Sequence, residues 1–341
     1  MSILDDPILY TILGSLNSLE IVQTCLWSTS WKHFWKSVSH LDVDIKYFLH
    51  PYNPYSSHNH NFSNSATRFA NFISQYTNNR NHSVDISRLR FKLISDNRVI
   101  PFDIHLVVRS VLLYVFLHRV KNIYLLVHTS TQSVRILERN FESETLEELY
   151  LSIHDVNGRF NLLTTNQVSL PKLEKIHLVH TSINQNTMTK LLQGSPVLTW
   201  LELEDCVLSM NGLNSDILEI LRIESCMFEP QPQSNGNNFS INTPNLDYMY
   251  INGTINCRLI FGNMPNLDRA FFFAHAVSNF IEVVGNVSQL ELCYHDPLNN
   301  MIKNTPNMPI FQNLKTLTFK YTCVICWLFK ISNFVRNCPN L

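Results

Sequence analysis

The chain has 341 residues, 45% of them apolar, with 26 Lys and Arg against 27 Asp and Glu and a formal net charge of -1. That composition excludes a disordered chain, and the balanced charge leaves no electrostatic ground for nucleic acid or an anionic membrane as main partner. Eight cysteines in a chain this long are too sparse for a disulfide scaffold. The opening MSILDD has Asp5 and Asp6 where a secretory leader would be basic. A reducing compartment is therefore expected, nucleus or cytoplasm, with free thiols in cores.

Residues 5–38 read as helical. Asp6-Pro7 suits a helix start, because proline at the first helical position sacrifices no hydrogen bond. Ile8, Leu9, Ile12, Leu13 and Leu16 then recur at helical spacing. Asn17, with Glu20 three residues on, reads as the capping box of a second helix carrying Leu19, Val22, Leu26 and Trp27. Trp31, Phe34, Trp35 and Val38 predict a third short helix, so residues 1–46 form a three-helix module. Residues 47–66, with HPYNPYSSHNHNFSNSA over 50–66, read as a loop or linker. Its histidines, His50, His58 and His60, have no cysteine nearby and no rigid frame, which argues against a metal site.

From residue 67 the pattern changes. Phe69, Phe72, Ile73 and Tyr76 predict a helix over 67–79, and VDISRLRFKL (84–93) predicts a strand. A helical IHLVVRSVLLYVFLHR (104–119) and a strand-like KNIYLLVHT (121–129) follow. The apolar stretches VVRSVLLYVFLHRV (107–120) and FFFAHAV (271–277) are too short or too interrupted to span a bilayer.

The alternation then becomes a repeat. Its members are LEELYLSIH (146–154), LEKIHLVHT (173–181), LTWLELEDC (198–206), LEILRIESC (218–226), LDYMYINGT (246–254), LDRAFFFAH (267–275), VSQLELCYH (287–295) and LKTLTFKYT (314–322). Most starts lie 20 to 28 residues apart, in the leucine-rich-repeat range. The first apolar residue of each enters from the preceding turn, and the fourth and sixth alternate inward along a strand. Stacked neighbours bury a core that no single unit could bury. Pro171, Pro196, Pro244 and Pro265 precede strands, as suits a turn before an extended segment. Helical connectors are predicted at NTMTKLLQ (186–193) and WLFKISNFVRNC (327–338), with loops or short helical turns elsewhere. The predicted fold is thus α/β: a short three-helix module, then over 67–341 an irregular leucine-rich-repeat solenoid with parallel strands on its concave face.

Residues 3–44, ILDDPILYTILGSLNSLEIVQTCLWSTSWKHFWKSVSHLDVD, resemble the F-box of plant F-box/leucine-rich-repeat proteins. Leu4, Ile8, Leu9, Ile12, Leu13, Leu16, Val22, Thr24, Ser28, Trp31, Trp35, Leu41, Asp42 and Asp44 hold the matching places. LPKLEKIHLVHTSINQNTMTKLLQGSPVLTWLELEDC (170–206), IFQNLKTLTF and FVRNCPNL resemble that family's repeats. The pattern's opening Leu-Pro is replaced by Asp5-Asp6-Pro7, its second Leu-Pro by Leu16-Asn17 and its Lys-Arg pair by Thr29-Ser30. These departures imply a divergent relative, and the end at CPNL, where members often carry a further domain, implies a shortened one.

The resemblance implies the substrate-recognition subunit of an SCF-type ubiquitin ligase, with a Skp1-type adaptor on the helical module and a target protein on the repeats. Candidate adaptor contacts are Leu4, Pro7, Ile8, Leu9, Ile12, Leu26, Trp31 and Trp35, each of which could instead serve the module's own core. Candidate target contacts on the outward strand face are Tyr150, Trp200, Glu202, Arg222 and Tyr248. The alternative is a repeat scaffold that binds protein or a small ligand without a ligase. An enzyme is not expected. Cys323 and Cys326 form a lone CxxC short of a zinc set, Cys206 and Cys226 end repeat strands as core positions, and eight glycines make no phosphate loop. No cofactor is expected.

Overall fold

The computed structural model describes residues 6–27, 29–49, 58–94, 103–129, 141–155, 158–161, 167–229, 238–274, 283–294, 310–321 and 335–341. The chain divides into two compact units, residues 1–160 with 164–173, and residues 161–163 with 174–341.

The first unit opens with helices α1 (Asp6–Gly14) and α2 (Ser18–Gln23). The expected capping box is formed: Asn17 Oδ1 accepts from the Glu20 N–H, and Glu20 Oε2 accepts from the Asn17 N–H, both at 3.0 Å. Asn17→Ala leaves the Glu20 N–H without its side-chain acceptor, so a loss of about 1 kcal/mol is expected in denaturant unfolding. An unchanged midpoint would show that the cap contributes nothing. The chain continues as 3-10 turns at Thr24–Leu26 and Thr29–Ser37, where an α-helical third element was predicted. A 3-10 helix repeats every third residue. Trp31 and Phe34 therefore lie one above the other, and both pack against the cluster of Leu9, Leu13, Ile21 and Val38.

The segment His40–Asp44 is a strand in parallel register with Arg88–Ile94, Leu41 opposite Leu89 and Val43 opposite Phe91. It is tied to the helical segment by His40 Nε2 against the Leu16 carbonyl and by the Asp42 N–H donating to Ser18 Oγ, both at 3.0 Å. The expected boundary at 46 thus places with the helices a strand that completes the sheet.

Helix α3 (His58–Asn79) begins nine residues before the predicted 67, inside the expected linker, and takes in His58 and His60. Phe62, Ala66, Phe69, Ile73 and Tyr76 are all buried, and their spacing of four, three, four and three makes one helical stripe. That stripe outweighs the weak helix propensity of the Asn, Ser and His residues around it. Helix α4 (Asp103–Leu117) and the strands Asn122–Thr129 and Glu148–Asp155 follow, and the unit's long strands run parallel in chain order.

In the second unit, Lys175–Val179, Trp200–Glu204, Ile220–Glu224, Tyr248–Gly253, Arg269–Ala274, Gln289–Tyr294 and Thr316–Tyr321 form a parallel ladder in sequence order. With Glu148–Asp155 of the first unit, each of the eight repeat segments carries its strand. Their first residues, Leu146, Leu173, Leu198, Leu218, Leu246, Leu267, Val287 and Leu314, are all buried. Fourth and sixth positions, such as Leu201 and Leu203 or Leu221 and Ile223, point into the core.

Helix α5 (Gln185–Gly194) occupies the connector predicted at 186–193 and is capped by Asn184, whose Oδ1 accepts from the Thr187 N–H at 2.9 Å. Other connectors carry short strands where loops or helical turns were expected. Thr181–Asn184, Val207–Ser209 and Met227–Phe228 make one parallel ladder, and Gly212–Asn214, Asn238–Asn242 and Arg258–Phe261 another. Stacking equivalent connectors side by side lets each satisfy its neighbour's backbone groups. The predicted helix at 327–338 falls for the most part outside the described residues, as do Cys323 and Cys326.

Four of the turns after repeat strands use the same device. The eighth residue of four segments is left-handed: His180, Asp205 and Ser225 at φ 55, 49 and 53, and Gly253 at φ 124. A β-carbon on Gly253 would lie 3.0 Å from the backbone N and Cα of Ser225, so only glycine fits there without strain. One residue further on, Cys206 and Cys226 are buried as expected, each thiol donating to a carbonyl of the preceding strand, Leu178 and Leu203, at 3.3 Å.

Candidate functional site

Two surfaces, one in each unit, carry most of the residues singled out from the sequence. On the first, α1 divides its apolar residues between two faces. Leu9 and Leu13 lie in the core at 2% and 1% exposure, whereas Ile8 and Ile12, about 100° around the helix, are 50% and 40% exposed. Leu26 and Trp27 end the second helical element and are 86% and 76% exposed. Isolated exposed apolar side chains are ordinary, but two adjacent large ones this exposed are what a partner's pocket takes up.

Trp31 and Trp35 are half-buried against the core, and the Trp35 ring lies 5.3 Å from that of Tyr76. Trp31 still reaches the rim, its ring 6.4 Å from Trp27. Tyr10 is exposed beside Phe34, ring to ring at 5.5 Å. Of the eight sequence candidates, Ile8, Ile12 and Leu26 are surface residues, Leu9 is internal, and Trp31 and Trp35 serve the core. Leu4 and the Pro7 side chain lie outside the described residues. Sequence reasoning passed over Trp27 and Tyr10. Trp27 stood in the predicted stripe, and its place at the end of that element was the available signal.

The second surface is the outward strand face of the second unit. Register aligns Lys175, Trp200, Ile220, Tyr248 and Arg269 in one row, and His177, Glu202, Arg222, Tyr250, Phe271 and Glu291 in the next. A third row holds Glu204, Glu224 and Asn252. These side chains engage each other across strands. The Lys175 ammonium lies 5.2 Å from the Trp200 ring, whose Nε1 donates to Glu202 at 3.0 Å. His177 bridges Glu202 and Glu204, with one ring nitrogen 3.1 Å from each carboxylate. Arg222 stacks 4.2 Å over Tyr250 and pairs with Glu224, and Tyr250 stacks on Phe271 at 4.3 Å with planes 7° apart. Arg269 lies over Tyr248 at 5.3 Å.

Burial opposes the charge on Arg222, and the Glu224 hydrogen bond and charge outweigh it, so its pKa is raised. Burial also pushes the Tyr248 and Tyr250 phenols above their ordinary value. Trp200, Glu202, Arg222 and Tyr248 thus come together on one face. Tyr150 lies on the first unit's sheet, stacked on Tyr124 at 4.2 Å. His177, Glu204, Glu224, Tyr250 and Phe271 were not among the candidate contacts, although they occupy the fifth and seventh places of the same segments.

The arrangement holds planar rings and paired charges in fixed positions, which suits recognition of another surface. Among the described residues no group of three or more His, Cys, Asp or Glu could hold a metal, and no described helix is long and apolar enough to cross a membrane.

A helical segment ahead of a large, mostly parallel sheet built on a leucine repeat defines an α/β protein of repeat-like architecture. Residues 108–231 match the family model described as FBD-associated F-box protein At5g56370, LRR repeats. The F-box/LRR-repeat protein At4g14096 of Arabidopsis thaliana is 24% identical, with 100% of this chain and 71% of that one covered. The F-box/LRR-repeat protein At4g14103 of the same plant is 24% identical over 100% of this chain and 89% of its own length. The putative F-box protein At1g58310, also from Arabidopsis thaliana, is 25% identical over 99% and 71%. No solved structure matches. The chain is thus similar, at low identity, to plant F-box/leucine-rich-repeat proteins along nearly all of its length.

Proposed function

We propose that this chain is the substrate-recognition subunit of an SCF-type ubiquitin ligase, docking a Skp1-type adaptor through residues 1–46 and a target protein through the repeats. The observation that carries the reading is the exposed pair Leu26 and Trp27, with Ile8 and Ile12, on the helical segment ahead of the repeats. The strand face of the second unit, as the concave side of an irregular leucine-rich-repeat solenoid, presents Trp200, Glu202, Arg222 and Tyr248 to the target, and Tyr150 is a candidate target contact on the first unit's own sheet. Such a protein performs no chemistry. It raises the effective concentration of its target near the transferring partner.

The test is co-purification of the full chain with a plant Skp1-type adaptor, read as a stable one-to-one complex on size exclusion. A folded chain that elutes alone would sink the ligase reading. The second reading, a repeat scaffold with no ligase partner, is favoured by Leu16-Asn17 and Thr29-Ser30, which stand where the family has a Leu-Pro turn and a Lys-Arg pair. It predicts target capture without adaptor.

A further inference from the structure

We infer that Arg80 forms the floor of a binding site for a small tetrahedral oxyanion, a phosphate or phosphomonoester, in the first unit. Arg80 follows the last residue of α3 and is only 3% exposed. A guanidinium buried this far ordinarily faces a carboxylate, since an unpaired buried charge is heavily penalised. Among the described residues Arg80 makes no ion pair. Its one hydrogen bond runs from Nη2 to the Val84 carbonyl at 3.4 Å, a long contact, while Nε and Nη1 are buried with no partner.

The buried hydroxyls of Tyr76 and Tyr114 have no partner of good hydrogen-bond geometry, although the side chains of Arg80 and Ser18 lie close to that of Tyr76. Burial raises both phenols, and the nearby Arg80 charge acts on each in the opposite direction. Four of the seven buried polar atoms without partners among the described residues therefore belong to one cluster around one cation.

The surroundings are aromatic and graded toward solvent. The exposed His82 stacks on the half-buried His118 at 5.7 Å, and His118 lies 4.1 Å from Tyr114, ring to ring. Burial lowers the His118 pKa, and the charges of His82 and Arg80 lower it further; Asp85, exposed at the edge, is the acid that opposes them. Guanidinium N–H groups and two phenolic O–H groups are all donors that an oxyanion can accept, and a planar guanidinium suits two phosphate oxygens at once. A tetrahedral anion has oxygens left for the two hydroxyls.

The experiment is calorimetric titration of the full chain in phosphate-free buffer, with inorganic phosphate in one arm and glycerol 3-phosphate in the other. Saturable binding of either anion supports the site; a tighter free ion assigns it to phosphate itself, a tighter ester to a phosphomonoester. Arg80→Met is expected to abolish binding. Because that variant could also disturb folding, Tyr114→Phe, which removes one hydroxyl from a half-buried residue, is expected to weaken binding about tenfold while keeping the wild-type unfolding midpoint. Wild-type protein that takes up neither anion, or a Tyr114→Phe variant that binds as tightly as wild type, overturns the inference.

Discussion

Alanine at both Leu26 and Trp27 is expected to weaken adaptor binding by about a hundredfold or more while leaving the unfolding free energy within about 0.5 kcal/mol of wild type. Both expectations follow from exposure. The two side chains are 86% and 76% exposed, so removing them opens no cavity in the chain itself. Burying a leucine and a tryptophan in a partner's pocket would by contrast supply much of an interface's stability, since tryptophan is the commonest anchor of such contacts. Isothermal titration of the full chain against a Skp1-type adaptor, paired with denaturant unfolding, separates the effects. Trp35→Ala is the informative contrast. Trp35 packs on the core and on Tyr76, so its loss should lower stability first and adaptor binding only as a consequence. Equal adaptor affinity for the double variant and the wild type would remove Leu26 and Trp27 from the interface.

Phe69→Ala should destabilise the chain by about 3–5 kcal/mol, the largest effect expected of a single substitution within its core. The ring is fully buried on α3 and lies 5.3 Å from Phe48 and 5.6 Å from Phe91. Phe48 follows the first strand and Phe91 sits within the second, so one side chain joins a helix, a turn and the sheet. Its removal takes away apolar burial and also leaves a cavity that three aromatic-lined elements cannot collapse to fill. Chemical denaturation with a fluorescence readout would measure it. A loss below about 1 kcal/mol would mean that the site relaxes far more than its packing suggests.

The repeats were legible because their period is long and their inward residues are leucine-like in nearly every copy. Leu198, Leu201 and Leu203 announce their strand, and Leu218, Leu221 and Ile223 confirm the spacing. The Asn17–Glu20 cap was legible because it is local, needing only two side chains three residues apart. Other features depend on what a segment packs against, and local pattern does not carry that. His40–Asp44 alternates too briefly to stand out, and its pairing with Arg88–Ile94 comes from 48 residues away. The first half of α3 hid among Asn, Ser and His because Phe62 and Ala66 were too few to show a period without Phe69 and Ile73 beyond them.

The helical surface illustrates the same limit. Ile8 and Leu9 are adjacent and equally apolar, yet one faces out and the other in. A helical stripe shows that a face is apolar; it does not say whether this chain or another covers it. On the strand face, pleating told which residues point outward, but the pairing of His177 with Glu202 and Glu204 required the register of neighbouring strands.

The buried thiols of the second unit also make a built-in clock. Burial pushes Cys226 well above the ordinary thiol value and Cys257 up to about 11, so at neutral pH both rest as unreactive protonated groups. Alkylation must then wait for the chain around them to open. Cys206 and Cys226 each lean on the strand before them. The order in which the two are labelled would therefore time the fraying of successive strands without any introduced probe.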